Sequence, residues 1–527
     1  MPHDALKNTR DDLRLGTRGL AASSKRNARN LLESARIYAL SILVALLMGV
    51  AGWAFLAALR LATGAREAHL WLFFLLPVVN VATAWLYRNH GLRAQRGNNL
   101  VIDSTLGGSP IHKRMALLTF ACSTATHLAG GSAGREGAAV QMGGTIASNV
   151  AQVFGIRGHD RRDLMMAGIS AAFGAAFGTP LAGAFFGMEM CFIGKLDYSA
   201  ALYCLTGSFV GNTVSRALGS PFVFERIASV PEMGPRVLAV VLAAAVAFGL
   251  TARLFTFCIR TVKRLYARFF TNYLVAAGVG GAVLTALFLG FGLSAYGGLS
   301  EWLVPAAFSG NTTLADPLAK LGMTALTVGA GFQGGEVTPL FGIGASLGGW
   351  LGEVALDDPS FMAALGMLGV FGAALNVPIT TIMLGIDMFG ASGAAYFVIV
   401  AFVSYLVAGH HAVYPAQRIV TPKRRSLKSE ADLSVEHALE QRRAELAALD
   451  AGRGGSDAER GGPVAEHNAD SLAVVSASSP AVTPAATLAA APATPAAPPA
   501  TPPAAPSTVP TVPASSLNSD ASSRKDA

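Results

Sequence analysis

The chain has 527 residues, of which 52% are hydrophobic and only 14% are charged, and its formal net charge is +8. Soluble domains are about 25% charged, so this composition excludes an ordinary soluble protein and indicates an all-α polytopic membrane protein. The four cysteines lie in or beside apolar segments without CxxC spacing, so we predict neither a disulfide, nor a metal site, nor a cofactor. We attribute the positive charge to membrane topology and expect no nucleic-acid partner.

The chain divides by composition into four segments. Residues 1–36 are polar and basic, and we predict a cytoplasmic helix lying on the membrane surface. Residues 37–418 are apolar and form the predicted transmembrane domain. Residues 419–450 are predicted to be a charged cytosolic segment, and the Ala/Pro/Ser/Thr-rich residues 451–527 a disordered tail. The basic N-terminal segment and the basic interruptions predict a cytoplasmic N-terminus. We expect a multi-pass protein of the cell inner membrane with both termini in the cytoplasm.

Several apolar stretches within the transmembrane domain are shorter than the ~20 residues that cross a bilayer. Others are broken by glycine or proline, and two of these breaks align: Gly174–Pro180 matches Gly372–Pro378. This internal repeat predicts two halves, about 37–218 and 236–418, with a binding site where interrupted helices meet. The alternative is chance similarity between membrane helices that are rich in alanine and glycine.

The glycine-rich run Gly130–Gly144 holds the charged pair Arg135 and Glu136 between long apolar segments. A charge at membrane depth costs about 2.5–3.5 kcal/mol, so such residues usually carry ions or protons. Glycines at a helix start present bare backbone N–H groups, which bind anions. The run predicts an anion transporter, with Gly335–Pro339 as its counterpart in the second half. The alternative is a structural Arg135–Glu136 salt bridge, which we disfavour because adjacent helical residues do not face each other.

Four motifs in this order resemble those of the CLC family of chloride channels and anion/proton antiporters: Gly134-Arg135-Glu136-Gly137, Pro180-Leu181-Ala182-Gly183, Gly331–Pro339 and Ala412-Val413-Tyr414. The resemblance covers about residues 37–418. It implies a fold of about eighteen helices in two inverted halves, and a homodimer with one pore per subunit in the lipid bilayer. It also implies that Glu136 is the gating glutamate, which occupies the anion path when ionised and swings away when protonated.

Departures from the common family pattern resemble the fluoride/proton antiporter branch of the family. Residues 96–103 replace a Gly-Ser-Gly-Ile-Pro loop, Ala138 replaces a proline, Glu336 and Thr338 replace apolar residues, and Met190 replaces the proton-relay glutamate. Glu189, one position earlier, is therefore predicted to be a structural carboxylate at a helix end, as is its repeat counterpart Asp387.

The resemblance places the anion among residues of four segments: Asn98, Asn99, Leu100, Gly137, Val337, Thr338 and Tyr414. Fluoride is small and strongly hydrated, so it needs strong hydrogen-bond donors, which Asn98, Asn99 and Thr338 offer. Leu100 departs from the branch, because a methionine is typical there. Glu336 is predicted to orient Thr338 or to pass protons inward, and Tyr414 to open the last membrane helix.

Three hypotheses follow from these patterns. The first is a fluoride/proton antiporter that exports fluoride from the cytoplasm, with Glu136 as gate and proton carrier. The second is a chloride channel or chloride/proton antiporter of the same fold. The third, an intramembrane hydrolase using Ser132 and His127, is disfavoured because these residues lie about 140° apart on a helix and no catalytic motif accompanies them. We therefore expect a transporter, not an enzyme.

Overall fold

The structure, a computed structural model, describes residues 2–91 and 96–445; the side chains of residues 2–32 and of Ser426 are not part of that description. The predicted tail at 451–527 lies outside the described residues, as do the last residues of the predicted 419–450 segment. The described chain is mainly helical, as the composition predicts. The α-helices in the described residues up to 408 are α1 Pro2–Ala68, α2 Leu76–His90, α3 Asn98–Thr105, α4 Arg114–Leu128, α5 Glu136–Val153, α6 Gly158–Phe177, α7 Pro180–Glu189, α8 Ala201–Ala217, α9 Pro235–Phe269, α10 Tyr273–Thr285, α11 Leu303–Phe308, α12 Ala315–Gly329, α13 Val337–Ala355, α14 Pro359–Leu375, α15 Pro378–Phe389 and α16 Ala394–Ala408.

The remaining regular structure is short. Turns of 3-10 helix span Leu70–Leu75, Tyr198–Ala200, Leu293–Tyr296, Ala391–Gly393 and Arg425–Glu430, a π-helical turn spans Ala286–Gly290, and residues 435–445 are helical. Two short strands, Phe192–Ile193 and Arg418–Ile419, pair in parallel and join the end of the first half to the segment that follows α16.

The first helix passes through the predicted boundary at residue 36 without a break. No proline occurs between Pro2 and Pro77, so the backbone has no strong reason to interrupt the helix there. The change at residue 36 is therefore one of composition within a continuous helix and not a boundary between two helices.

Five described segments are long and apolar enough to cross a bilayer: Glu33–Ala68, Leu70–His90, Pro235–Phe269, Tyr273–Gly290 and Ala391–Ala408. The helices between them are mostly shorter and well buried in protein, notably α7, α14 and α15. This division agrees with the predicted mixture of full spans and interrupted helices.

The aligned breaks of the two halves have the same backbone geometry. Helix α6 ends at Gly178 with φ of 77°, and α14 ends at Asn376 with φ of 60°, both in the left-handed region. That conformation suits glycine and is tolerated by asparagine. Two residues later Pro180 and Pro378 begin α7 and α15, where a missing N–H costs nothing. The sequence repeat therefore corresponds to a structural repeat at this break.

Close helix packing repeats between the halves as well. A Cβ added to Gly143 of α5 would lie 2.4 Å from the carbonyl oxygen of Gly168 in α6. In the second half, a Cβ on Gly344 of α13 would lie 2.2 Å from the carbonyl oxygen of Gly366 in α14. Both helix pairs thus approach at distances that only glycine permits, which fixes α5 and α13 against their neighbours.

The expectation that Tyr414 opens a membrane helix is wrong. Residues 411–417 have no regular structure. Pro415 disfavours the α conformation for the residue before it, and the backbone groups nearby find partners elsewhere. The N–H of Val413 donates to the carbonyl of Ala374, and the N–H of Ala416 donates to Asn99 Oδ1.

Candidate functional site

The two glycine motifs meet face to face. Gly134 and Gly335 form an antiparallel bridge in which each N–H donates to the carbonyl of the other, at 2.5 and 2.6 Å. The bridge places the N-termini of α5 and α13 beside each other, and Glu136 and Val337 are the first residues of these helices. The first N–H groups of a helix have no intrahelical acceptor and carry partial positive charge. The junction of the halves is therefore suited to hold negative charge.

Glu136 supplies a negative charge at this junction. Its side chain is buried, and its Oε2 accepts hydrogen bonds from the Thr338 N–H at 3.1 Å and from the Thr338 hydroxyl. A carboxylate of the first half thus caps the N-terminal turn of α13 in the second half. A free anion at the same place would receive the same donors, so the carboxylate and an anion would compete for this position.

The Arg135–Glu136 salt bridge, which the sequence disfavours, is present. Arg135 Nε donates to Glu136 Oε1 at 3.1 Å. The prediction was wrong because Arg135 precedes the first helical residue of α5, so the rule that adjacent residues on a helix point apart does not apply to this pair. The guanidinium remains partly exposed while the carboxylate is buried, and Glu136 therefore has donors on both of its oxygens.

A second polar group lies on the other side of the bridge. The side chains of Asn98 and Tyr414 are buried, and Asn98 Nδ2 donates to the Tyr414 hydroxyl at 3.0 Å. The hydroxyl in turn lies 3.4 Å from Oε2 of Glu336 and donates to it. Glu336 is the residue that immediately precedes α13. These three side chains form a hydrogen-bonded chain that begins on α3 and ends next to the bridge.

Gly137 packs tightly between the halves. A Cβ at this position would lie 2.7 Å from Gly335 Cα, 3.1 Å from Asn98 Nδ2 and 3.4 Å from Glu336 Oε2. The bare Cα of Gly137 therefore brings the Asn98–Tyr414–Glu336 chain within reach of the residues that hold Glu136. Val337 is buried next to Thr338 at the start of α13.

The side chains of two predicted anion ligands, Asn99 and Leu100, make contacts other than those expected of ligands. Asn99 lines the same cavity as Asn98, but its Oδ1 accepts the N–H of Ala416 at 3.0 Å, so it holds the segment that carries Tyr414. Leu100 is buried in the hydrophobic core and borders neither cavity of the site. Because α3 begins at Asn98, Leu100 lies about 200° around the helix from it. The structure does not bring Leu100 to the candidate site.

Gln141 is a site residue that sequence reasoning missed. A Cβ on Gly97 would lie 3.1 Å from Gln141 Nε2, and Gln141 Oε1 accepts from the Thr119 hydroxyl at 3.1 Å. It follows Gly137 by four positions, so the two lie on the same helix face. The four-residue spacing from Gly137 is the feature of the sequence that could have identified Gln141.

Two cavities reach the site. The first, about 420 Å³, is bordered by Glu136, Thr338 and Arg135 and extends to Arg60 near the end of α1. The second, about 670 Å³, is bordered by residues that include Asn98, Gln141, Glu336 and Tyr414.

The cavities approach from opposite sides of the helix bundle. Helices α1 and α2 are consecutive spans with a short connection, so they run in opposite directions. The first cavity touches α1 near its C-terminal end, whereas the second touches Gly97, which lies beyond the C-terminal end of α2. Glu136 and Thr338 border the first cavity, and Glu336 borders the second. These residues therefore lie between the two cavities.

Glu189 lies at the end of α7, as predicted, and caps a helix of the other half. Its carboxylate accepts from the N–H groups of Ile379 and Thr380 and from the Thr380 hydroxyl, at 2.7 to 3.1 Å. Reciprocally, Asp387 of α15 accepts from the N–H of Ala182 in α7 at 2.9 Å. The two carboxylates therefore form a reciprocal pair of helix caps and border neither cavity of the site.

The proposed hydrolase pair is not formed. Both ring nitrogens of His127 lie against carbonyl oxygens, those of Ser123 and Ala133. Ser132 Oγ instead contacts the Thr324 hydroxyl and accepts from Lys320 Nζ. Among the described residues, no group of three or more His, Cys, Asp or Glu side chains is arranged to hold a metal ion.

Comparison with known proteins matches this architecture. The profile of the voltage gated chloride channel family matches residues 79–409. A chloride/fluoride channel protein of Pseudomonas syringae pv. tomato is 37% identical over 392 residues, covering 73% of this chain and 87% of that protein. An H(+)/Cl(-) exchange transporter, ClcA of Vibrio cholerae, is 28% identical, and the match covers 48% of this chain and 58% of the transporter.

Two solved structures share the fold. The crystal structure of a CLC-type fluoride/proton antiporter aligns with a TM-score of 0.72 and 34% identity, covering 74% of this chain and 99% of that one. A slow cyanobacterial Cl-/H+ antiporter aligns with a TM-score of 0.62 and 21% identity, covering 71% of this chain and 94% of that one. The second likeness concerns the fold alone.

Proposed function

This chain belongs to the CLC family of voltage gated chloride channels and related transporters, and we propose that it is a fluoride/proton antiporter that exports fluoride from the cytoplasm. The family consists of channels and transporters and not of enzymes. The exchange would be driven by protons that enter the cell as fluoride leaves. The remaining question is which groups carry the two ions and why the anion would be fluoride.

The contact between Glu136 and Thr338 carries the proposal. An ionised Glu136 fills the N-terminus of α13 and takes the donors that an anion would use. When it is protonated, the side chain loses its charge and its attraction to the helix terminus, and an anion takes its place. One carboxyl group then both carries the proton and competes with the anion, so the two fluxes are coupled.

Hydrogen-bond donors favour fluoride over chloride. The Thr338 hydroxyl and N–H, the Asn98 amide and the Tyr414 hydroxyl all lie at or near the junction of the halves. Removing the hydration shell of fluoride is expensive unless strong donors replace the water. The similarity to a CLC-type fluoride/proton antiporter supports the same choice of ion.

Glu336 has a supporting role in this scheme. It follows the bridge residue Gly335, faces the second cavity and accepts from the Tyr414 hydroxyl. We infer that protons pass between Glu336 and Glu136 across the bridge, because Glu189, near the position of the family's relay, caps a helix instead. The basic interruptions of the sequence support a cytoplasmic position for the second cavity. We further propose a homodimer in the inner membrane with one pore per subunit.

The proposal is tested with purified protein in liposomes loaded with equal concentrations of fluoride and chloride, while an ion-selective electrode and external pH are recorded together. We expect fluoride efflux with a rise in external pH, and chloride efflux at least about tenfold slower, a difference of ~1.4 kcal/mol in barrier. Glu136→Gln should abolish the coupled proton flux. Glu301→Gln is the matched control, because Glu301 borders the same cavity but is exposed.

Three outcomes decide against the proposal. Equal chloride and fluoride efflux with proton movement supports the second candidate, a chloride/proton antiporter, which the similarity to ClcA favours. Proton movement that persists in Glu136→Gln removes this residue from the role of proton carrier. Anion efflux without any change in pH makes the protein a channel.

A further inference from the structure

A third cavity, of about 370 Å³, shares no lining residue with the two cavities that reach the Glu136 junction and is lined by four arginines. Arg253, Arg260 and Arg264 come from α9, and Arg443 comes from the helical residues 435–445. Residues 253, 260 and 264 are spaced by seven and four positions, which places them on one stripe of α9. Two separate helices thus direct guanidinium groups into one cavity.

The cavity lies where α9 changes from apolar to basic. Residues 237–252 contain no charged side chain, whereas the remainder of α9 begins with Arg253 and is strongly basic. The apolar part belongs to a helix that is long enough to cross a membrane. The change therefore marks the level at which α9 leaves the hydrocarbon and enters the headgroup region. Basic residues at this level indicate the cytoplasmic leaflet.

These cations have few protein partners. Within the described part of the chain, the guanidinium groups of Arg253, Arg264 and Arg443 make no hydrogen bond and no ion pair. Arg260 donates to the carbonyl of Ala412 at 2.8 Å, and the carboxylate that acts on it, Glu436, lies beyond ion-pair distance. The cavity therefore carries a net positive charge that the surrounding described residues do not neutralise.

One wall of the cavity is apolar and exposed. Leu250, Leu254 and Phe257 line it and are 51%, 42% and 58% exposed, and Leu439 contributes from the helical residues 435–445. Positive charge beside exposed aliphatic and aromatic surface is complementary to a molecule with an anionic head and an apolar tail. A small inorganic anion would use only the charged part of this surface.

We propose that this cavity binds an anionic phospholipid of the cytoplasmic leaflet, with its phosphate among the four arginines and an acyl chain along Leu250, Leu254 and Phe257. Basic pockets of this kind at the cytoplasmic side of membrane helices bind anionic headgroups. Arginine suits the role because its planar guanidinium contacts two phosphate oxygens at once.

The bound lipid would also touch the segment that carries Tyr414. His411 lines the cavity, and Arg260 is bonded to the carbonyl of Ala412, two residues before Tyr414. Lipid occupancy therefore stabilises the irregular segment 411–417. The binding site itself does not depend on which anion is transported, so its test stands apart from that of the proposed function.

Retention of lipid by the purified protein tests the proposal. The full-length chain in detergent is mixed with phosphatidylglycerol or with phosphatidylcholine of the same chain length, and bound lipid is counted by native mass spectrometry. We expect phosphatidylglycerol to bind at least about tenfold more tightly than phosphatidylcholine. The double variant Arg264→Gln/Arg443→Gln should lose about thirtyfold in affinity for phosphatidylglycerol, given about 1 kcal/mol for each of the two basic residues near a lipid surface. Neither side chain has a protein partner whose loss would unfold the chain.

Arg268→Gln is the matched control, because Arg268 is exposed on the same basic end of α9 but does not line the cavity. It should keep the affinity of the unchanged protein. Equal losses in the control and the double variant would overturn the proposal, since the effect would then come from general surface charge. Equal binding of the two lipids would overturn it too. A third arm adds glycerol 3-phosphate, and displacement of phosphatidylglycerol at equal phosphate concentration would show a free-anion site instead.

Discussion

The carboxylate of Glu136 and the hydroxyl of Thr338 are in direct contact, although 202 positions separate them in the chain. The contact joins the two halves at the point where their helix N-termini meet. Because the Thr338 N–H donates to the same oxygen, the position of Glu136 is set by α13 as much as by its own helix. Movement of this one side chain would open or close the junction.

Replacement of Thr338 by valine tests this contact, because valine keeps the shape and removes the hydroxyl. A hydrogen bond to a charged group contributes roughly 1.5–3 kcal/mol, so the ionised Glu136 would hold its position at least about tenfold less well. We expect the fluoride-driven proton flux in liposomes to fall by a similar factor. Thr338→Ser retains the hydroxyl and should remain close to the unchanged protein. Equal fluxes in the two variants would show that the hydroxyl has no part in coupling.

Gly137 gives a prediction about the close approach of the halves. Gly137→Ala places a Cβ 2.7 Å from Gly335 Cα, and backbone cannot move aside cheaply in a packed interior. We expect a loss of roughly 2 kcal/mol or more, seen as a lower midpoint of thermal unfolding in detergent. Gly322→Ala on α12 is the control, since a Cβ there meets no atom within 4 Å and alanine is the better helix former. An unchanged midpoint in Gly137→Ala would contradict the observed packing.

The sequence predicted the meeting of the two glycine motifs, because glycine and proline recur at matching positions when the two halves of the sequence are aligned. Prediction from the sequence was wrong for side-chain contacts that depend on the residue at which a helix begins. Arg135 pairs with Glu136 only because it precedes the helix. Leu100 points into the core because α3 begins at Asn98, directly after Gly97 with its φ of 53°. The residue at which such a helix begins is set by tertiary contacts and cannot be predicted from composition or spacing.

Glu430, which lies outside the membrane helices, should make the stability of the fold depend on pH. Burial would raise the pKa of this carboxyl, but hydrogen bonds from Arg442 and His410 outweigh burial and hold the pKa below its ordinary value. Burial keeps the pKa of His410 low, so Arg442 is the charged partner at neutral pH. A carboxyl with a lowered folded-state pKa stabilises the fold above its unfolded-state pKa and loses that contribution as pH falls through the folded-state pKa.

Glu430→Gln should therefore lower the unfolding midpoint at pH 7, and the difference from the unchanged protein should shrink below about pH 4. Glu440→Gln is the control, because Glu440 is exposed and has no partner among the described residues. Thermal unfolding in detergent at pH 7 and at pH 3.5 measures both variants. A difference that grows as the pH falls would contradict the sign of this linkage.

Replacement of Glu189 tests whether this residue has a structural role or carries protons. Glu189→Gln replaces one of the two carboxylate oxygens by an NH2 group, so one of the backbone N–H groups of Ile379 and Thr380 loses its acceptor. We expect a loss of about 1–3 kcal/mol, measured as a lower unfolding midpoint, while the ratio of protons to fluoride moved in liposomes stays unchanged. Its reciprocal partner Asp387 accepts from the N–H of Ala182, and an asparagine amide oxygen can keep that bond, so Asp387→Asn should show a smaller effect. A variant of Glu189 that unfolds normally but moves fluoride without protons would instead make Glu189 the proton carrier that Glu336 is proposed to be.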